Sequence, residues 1–264
     1  MKKVLLCPPK YYDIEYEINP WMDVTKKVDH QKAKEEHQEL KQVYQELGLE
    51  ILEIPQEKGL PDMVYAANHG FPKGTMFIKS NYKFDQRKQE AAFAKAYFQK
   101  LGFVIKELPE YITWEGQGDL LMVGRQYVLG WGKRSDFAAK KYLSEYLDTK
   151  IIDFKLVNPY YYHLDTCFLP LNDKTVAINP VSFEKEGLEK IAHHFPNVIR
   201  VEEQDNAILA CNATVIDKTI VIGKGISQKL KDDFAQYDYT TREVPMEEFR
   251  KGGGSVKCLT LEFY

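Results

Sequence analysis

Apolar and polar positions along this chain repeat as one unit. "YQELGLEILEIP" (residues 44–55) and "FQKLGFVIKELP" (98–109) share a pattern: the last turn of an amphipathic helix, a glycine where the helix stops, then an alternating strand ending in proline. Weaker copies are "SEYLDTKIIDFKL", "AHHFPNVIRVEE" and "FAQYDYTTREVPM". A helical stretch precedes each, with starts predicted near His30, Gln86, Ser135, Phe183 and Ile226, a period of roughly 45–55 residues.

Between these units lie hairpin patterns. "GDLLMVGRQYVLGWG" is predicted to turn at Gly124-Arg125, "TCFLPLNDKTVAINP" at Asn172-Asp173 and "ATVIDKTIVIGKG" at Asp217-Lys218. Each module is then one helix, one strand and a hairpin. No such module buries an apolar face alone, so five of them are expected to close into a ring. The predicted fold is α/β: a five-module α/β propeller with pseudo-fivefold symmetry. It is a single domain over residues 1–264, since no composition shift or Pro/Gly-rich hinge divides the chain.

Composition supports a packed core: 44% of residues are hydrophobic and 13% aromatic. The 36 basic and 39 acidic residues are interspersed, for a formal charge of -3. Without a basic face, neither nucleic acid nor an anionic membrane is an expected partner. "MKKVLLCPP" imitates the start of a lipoprotein signal, but its apolar run is only Val4 to Leu6, whereas a secretory core needs about 7–15 apolar residues. A first strand ending in a Pro-Pro loop is the better reading. The four cysteines show no CxxC spacing, so reduced thiols and a cytoplasmic setting are expected.

The repeat also says where a site should lie. The segments "PDMVYAANHG", "TWEGQGDLL", "YYHLDTCFL", "QDNAILACNATV" and "GGGSVKCLTL" each sit just past a module's strand, so they should meet near the ring axis. They carry Asn68, Glu115, Asp119, His163, Asp165, Asn206, Asn212 and Cys258. Polar residues in repeat-equivalent places suggest a shared polar pocket. Read alone, Cys258 is a small apolar strand residue, but the three glycines before it would let a ligand approach the thiol. His163 and Asp165, two apart, would share one face of an extended segment. His30, His37, His193 and His194 fall on helical patterns and are expected at the surface. Cys7, Cys167 and Cys211 are expected to be packing residues. No spacing has metal-site character, so neither metal nor cofactor is expected.

"GGGSVKC", "HLDT" (163–166) and "EGQGD" (115–119) together resemble the guanidine-modifying, or pentein, superfamily of arginine deiminases, dimethylargininases and amidinotransferases. "CPPKYYDIEYEINPWM", "GLPDMVYAANHG", "YYHLDTCFLPL" and "KCLTL" extend the likeness, which runs from Cys7 to Leu261, to the amidinohydrolase domain of bacterial arginine dihydrolases. The resemblance implies a five-module propeller that hydrolyses a small guanidino substrate, arginine or a derivative. It implies that Cys258 is the nucleophile and His163 the general acid/base. It gives Glu115 and Asp165 as carboxylates holding the guanidinium, Arg87 as the grip on the substrate's carboxylate, and Asn19 and Asn68 as further polar contacts. A homo-oligomer is compatible with all of this. Deiminases show an acid where this chain has Asn68, and EGGD where it has EGQGD. An amide both donates and accepts hydrogen bonds, so Asn68 could face a guanidinium or the neutral urea left after one hydrolysis. That favours an arginine dihydrolase over an enzyme that stops at citrulline; an amidinotransferase or a non-catalytic ribosome-binding propeller are lesser alternatives.

Overall fold

Each repeat folds as three strands and a helix. The structure, a computed structural model, describes residues 2–264. In chain order the elements begin with β1 (Lys3–Leu6), α1 (His30–Glu46) and β2 (Glu50–Glu53). Next come β3 (Gly70–Lys73), β4 (Met76–Lys79), α2 (Asp85–Lys100) and β5 (Val104–Lys106). The third repeat is β6 (Leu120–Val123), β7 (Gln126–Trp131), α3 (Ala139–Leu147) and β8 (Ile151–Lys155). The fourth is β9 (Phe168–Pro170), β10 (Thr175–Ile178), α4 (Lys185–His194) and β11 (Asn197–Arg200). After α5 (Glu203–Asn206) come β12 (Thr214–Ile216), β13 (Thr219–Gly223), α6 (Gln228–Ala235) and β14 (Thr240–Val244). The last elements are α7 (Glu247–Arg250), α8 (Val256–Leu259) and β15 (Leu261–Glu262).

The strands form five three-stranded sheets, and each has a middle strand antiparallel to one neighbour and parallel to the other. Thus β4 pairs antiparallel with β3 and parallel with β5, and β7, β10 and β13 repeat this. The parallel pair always flanks the helix, because a parallel return needs a long crossover. The first sheet departs in one respect. Its antiparallel partner comes from the far end of the sequence: β1 pairs with β15, Val4 opposite Glu262 and Leu5 opposite Leu261. That pairing closes the ring.

Local signals explain the elements. Asp29 caps α1, accepting from the Gln31 and Lys32 amides, and Ala33, Leu40, Val43 and Tyr44 bury one face. Gly48 and Gly102 follow α1 and α2 at φ of 76° and 84°, a left-handed turn that starts the next strand. Turns fall at Gly124-Arg125 and Asp217-Lys218 as expected, and β9 and β10 flank residues 171–174. A further hairpin, β3–β4 around Gly74-Thr75, was missed by the pattern reading. Cys7, Cys167 and Cys211 are buried in three separate apolar clusters.

Two expectations are corrected. The third helix begins at Ala139 rather than near Ser135, whose hydroxyl is used in the site. His37 is buried, with 4% exposure, because it lies on the α1 face that packs inward with Leu40 and Tyr44. Among the described residues no helix is long and apolar enough to cross a membrane.

Candidate active site

The five polar segments do converge, linked by hydrogen bonds around the axis. Asn68 Nδ2 donates to the Glu115 carbonyl at 3.3 Å. Glu115 Oε2 lies 2.8 Å from His163 Nε2. Asn212 Nδ2 donates to the Asp165 carbonyl at 3.1 Å and to Cys258 Sγ at 3.1 Å. Asp165 Oδ2 is 3.3 Å from the same sulfur. All these side chains are at most 2% exposed. Asn206 stands apart, donating to the Val201 carbonyl as a local brace.

Cys258 lies on the short helix α8 rather than on a strand, one turn before β15. Of the glycines leading to it, Gly254 borders the cysteine, where a Cβ would lie 2.9 Å from Cys258 Cβ, and all three border tyrosines. A Cβ on Gly252 would lie 2.0 Å from the Tyr65 hydroxyl, one on Gly253 2.8 Å from the Tyr162 hydroxyl, and one on Gly254 2.5 Å from the Tyr65 ring. The run is glycine because tyrosines pack against its backbone. Tyr65 Oη donates to the Phe249 carbonyl at 2.8 Å and Tyr162 Oη to the Gly253 carbonyl at 3.0 Å. Gly252→Ala is therefore expected to destabilise the protein by about 1–3 kcal/mol through overpacking. Tyr65→Phe, which removes the clashing oxygen, should reduce that penalty in a double-mutant cycle followed by thermal melting.

His163 and Asp165 do not share one extended face. His163 is extended, but Asp165 lies in the 3-10 turn Leu164–Thr166, which swings its carboxylate to the sulfur while His163 turns to Glu115. Glu115 stands behind His163. Its Oε1 accepts from the Lys83 amide at 3.1 Å and its Oε2 from Arg134 Nη1 at 3.0 Å as well as facing His163. Burial alone would raise its pKa, but Arg134 and His163 outweigh burial and hold the carboxylate well below its usual range. Asp119 Oδ2 accepts from Ser135 at 2.6 Å and its Oδ1 from the Leu164 amide at 3.0 Å; burial pushes its carboxyl up to about 6.

Asp165 is different. Burial pushes its carboxyl up to about 7, with Lys257 as the main opposing charge. Burial, followed by the negative charge of Asp165, also raises the Cys258 thiol well above its ordinary pKa. Two buried atoms here have no hydrogen-bond partner among the described residues: His163 Nδ1 and Asp165 Oδ1. With its Nε2 committed to Glu115, the imidazole has Nδ1 left for proton transfer.

Arg87 is engaged by its own surroundings. Its Nε and Nη2 each reach Glu90 at 2.8 Å, Nη2 also donates to the Asp62 carbonyl at 3.1 Å, and Nη1 donates to Asn68 Oδ1 at 2.9 Å. Asn19 donates to the Gly252 carbonyl at 3.0 Å, tying the loop of residues 7–29 to the glycine run.

Sequence reasoning missed three contributors. Arg134 is buried between the rings of Phe84 and Tyr162, 4.6 and 4.4 Å from their centroids, a second cation beside Glu115. Asp62 is buried with Oδ1 unpartnered, near Arg87. Gln117, the residue added in EGQGD, pairs with β15 as another strand would: Nε2 donates to the Glu262 carbonyl at 2.6 Å and Oε1 accepts the Glu262 amide at 2.9 Å. Lys257 Nζ joins this brace, 2.8 Å from Gln117 Oε1 and 2.7 Å from Glu262 Oε2. The departure from EGGD is the signal that could have given Gln117 a role; Arg134 follows β7 in a stretch without periodicity, and Asp62 lies in the 3-10 turn Pro61–Val64. A cavity of about 390 Å³, lined by Met122, Leu169, Val215, Lys257 and Tyr264, opens at another place on the ring and touches none of Cys258, His163 or Glu115. Among the described residues no cluster of three or more His, Cys, Asp or Glu is placed to hold a metal.

A family model described as N,N dimethylarginine dimethylhydrolase, eukaryotic, matches residues 13–264. The chain belongs to that family. It is 34% identical to the N(G),N(G)-dimethylarginine dimethylaminohydrolase of Mycobacterium tuberculosis, over all of this chain and 86% of that protein. It is also 37% identical, over 98% of its length, to the bifunctional arginine dihydrolase/ornithine cyclodeaminase ArgZ of Synechocystis sp., but spans only 37% of that longer protein. The solved N-terminal domain of ArgZ, a cysteine-to-serine variant bound to substrate, superimposes with a TM-score of 0.95 at 34% identity, covering 99% of this chain and 98% of that one. The dimethylargininase family thus accounts for the five-module α/β architecture, a pentein fold.

Proposed function

We propose that the protein is a cysteine-dependent hydrolase of guanidino compounds, acting as an arginine dihydrolase: arginine to ornithine, carbon dioxide and two ammonia. One observation carries this reading. A buried thiol lies 3.3 Å from a carboxylate whose other oxygen is free (Asp165 Oδ1), and two residues before that carboxylate an imidazole with a free nitrogen (His163 Nδ1) is held by Glu115. The named activities of ArgZ and of the mycobacterial relative support the same chemistry.

A guanidinium carbon is a weak electrophile because its charge is shared by three nitrogens. In this reading Asp165 Oδ1 and Asp62 Oδ1 accept the substrate's N–H groups and hold the plane beside the sulfur. The incoming cation favours the thiolate, which burial otherwise disfavours. The sulfur attacks, the S–C bond forms, and ammonia leaves with a proton from His163 Nδ1. Water, losing a proton to the same nitrogen, attacks the adduct; the C–S bond breaks and citrulline results. A second attack, on the ureido carbon, expels the second ammonia. Water then releases a carbamic acid that falls apart to ornithine and carbon dioxide.

Asn68 is the residue that suits the second round. Its Oδ1 faces Arg87 and its Nδ2 faces the Glu115 carbonyl, so each end still has one free site, an acceptor and a donor. A neutral urea needs both. Purified protein given arginine should yield ornithine and two equivalents of ammonia, and Asn68→Asp should accumulate citrulline. Citrulline alone from the unsubstituted protein would show that the second round does not occur.

Because Asp165 must be ionised to hold a cation, KM for arginine should fall up to about tenfold per unit as pH rises toward 7, then level off. Asp165→Asn should weaken binding and flatten that profile. A pH-independent KM in the unsubstituted protein would remove Asp165 from the binding role.

The second reading, a dimethylargininase that stops at citrulline, is favoured by the family match itself. Dimethylamine released from N,N-dimethylarginine faster than ammonia from arginine would establish it. In either case a cytoplasmic setting with reduced thiols and assembly as a homo-oligomer belong to the proposal. Arg87 and Arg134 are proposed to receive the substrate's carboxylate and Asn19 to bound the pocket.

A further inference from the structure

Asn212 is fully buried, and its amide uses its whole hydrogen-bonding capacity. Oδ1 accepts the backbone amides of Ser255 at 2.9 Å and Cys258 at 3.0 Å. Nδ2 donates to the Asp165 carbonyl at 3.1 Å and to Cys258 Sγ at 3.1 Å. The partners fix which end is which, since a backbone N–H can only donate and a carbonyl can only accept. One side chain therefore anchors the start of α8 and points a donor at its sulfur.

We propose that Asn212 is a further catalytic residue that holds the Cys258 thiolate with a hydrogen bond from its side-chain amide. The inference rests on the reading of Cys258 as nucleophile. A donor bonded to sulfur strengthens when the sulfur becomes an anion, because charge-assisted hydrogen bonds are about twice as strong as neutral ones. Asn212 thus stabilises the ionised state over the neutral one. Its surroundings make that necessary. Asp165, from the turn Leu164–Thr166, sets a carboxylate 3.3 Å from the sulfur and opposes ionisation, as does burial. Tyr162, from the segment before that turn, neighbours the sulfur as a neutral phenol whose pKa burial raises. Lys257 acts at one remove, through Asp165. From the turn Ala66–His69, packed against α8, the titratable group is His69, which burial keeps neutral with a pKa of about 3. Before substrate arrives, Asn212 is the side chain at the sulfur that favours the anion. Its place at the ring axis follows from the repeat, but the role does not, because nothing in "LACNATV" shows where the amide points.

Two variants separate catalysis from architecture. Asn212→Asp keeps an oxygen for both backbone amides and sets a carboxylate oxygen in place of the donor to sulfur, so its midpoint carries an added charge effect; Asn212→Ala adds no charge and loses both contacts, so its midpoint reads the donor. Cys258 alkylation by iodoacetamide, a neutral probe that the thiolate attacks with loss of iodide, is followed from about pH 6 to about pH 10, with kcat measured in parallel. The expected result in both variants is an alkylation midpoint raised by about one unit or more, a roughly tenfold lower kcat at neutral pH, and recovery of kcat at alkaline pH. An unchanged midpoint in either folded variant, or a kcat loss of the same size at every pH, overturns the proposal. A second measurement needs no variant: the Asn212 side-chain NH₂ resonances of the unsubstituted protein should titrate with the thiol's midpoint, and resonances that ignore it overturn the proposal as well. Turnover by the unsubstituted protein is scored separately, so failure of the nucleophile reading is distinguishable from failure of the role given to Asn212.

Discussion

Cys258→Ala should lower arginine turnover by about 10⁴-fold or more while leaving the affinity for arginine within a few-fold. Both rounds of the proposed reaction pass through a bond to this sulfur. Cys7, Cys167 and Cys211 are buried in apolar clusters elsewhere and cannot substitute for it. The substrate, by contrast, is held in this scheme by Asp165 and Asp62, which the substitution leaves in place. Calorimetric titration of the variant with arginine, beside an ornithine and ammonia assay, separates the two quantities. The same variant should lose labelling by a haloacetamidine, a cationic amidine that imitates the substrate. Turnover that survives the substitution would refute the catalytic scheme at its centre.

Glu115→Gln should have two effects of different origin. The carboxylate accepts from Arg134 and faces His163, and both are almost fully buried. Removing its charge leaves the Arg134 guanidinium uncompensated in the interior, which is expected to destabilise the fold by about 3–5 kcal/mol. It also removes the anion that orients the imidazole, so kcat should fall by about 10²–10⁴-fold. The pH dependence has a definite sign. The folded-state pKa of Glu115 lies well below the ordinary carboxylate value, so its stabilisation is present above about pH 4 and is lost as pH falls further. Melting temperatures of the two proteins should therefore differ most near neutral pH and draw together in acid. A gap that is constant down to about pH 2.5 would mean that the charge of Glu115 does not carry the difference.

The modular plan was legible because each repeat writes its own boundaries. Helix faces of the α1 and α2 type, a glycine stop and an alternating strand recur often enough to expose the ring. The convergence of the five polar segments followed from that alone. Its internal arrangement did not. The run Gly252–Gly254 reads in sequence as slack chain beside a thiol, whereas its reason is the bulk of Tyr65 and Tyr162, which are distant in sequence. Glu115 was expected to meet the substrate, yet three groups from separate loops occupy its oxygens. Arg134 and Asp62 carry no periodic signal, so only folding shows that they belong with the rest. His37 misled for the opposite reason: a histidine on a helical pattern is assigned outward by polarity, but the apolar face of α1 is wide enough to include it.

The pairing of β1 with β15 bears on how the proposed nucleophile comes into place. The short helix carrying Cys258 runs straight into β15, whose partner β1 lies at the other end of the described residues, Val4 opposite Glu262. Contacts so far apart in sequence are slow to form. In the proposed scheme, closing the ring and setting Cys258 beside Asp165 and Asn212 are therefore one folding step, and a chain whose ring is open has no assembled site.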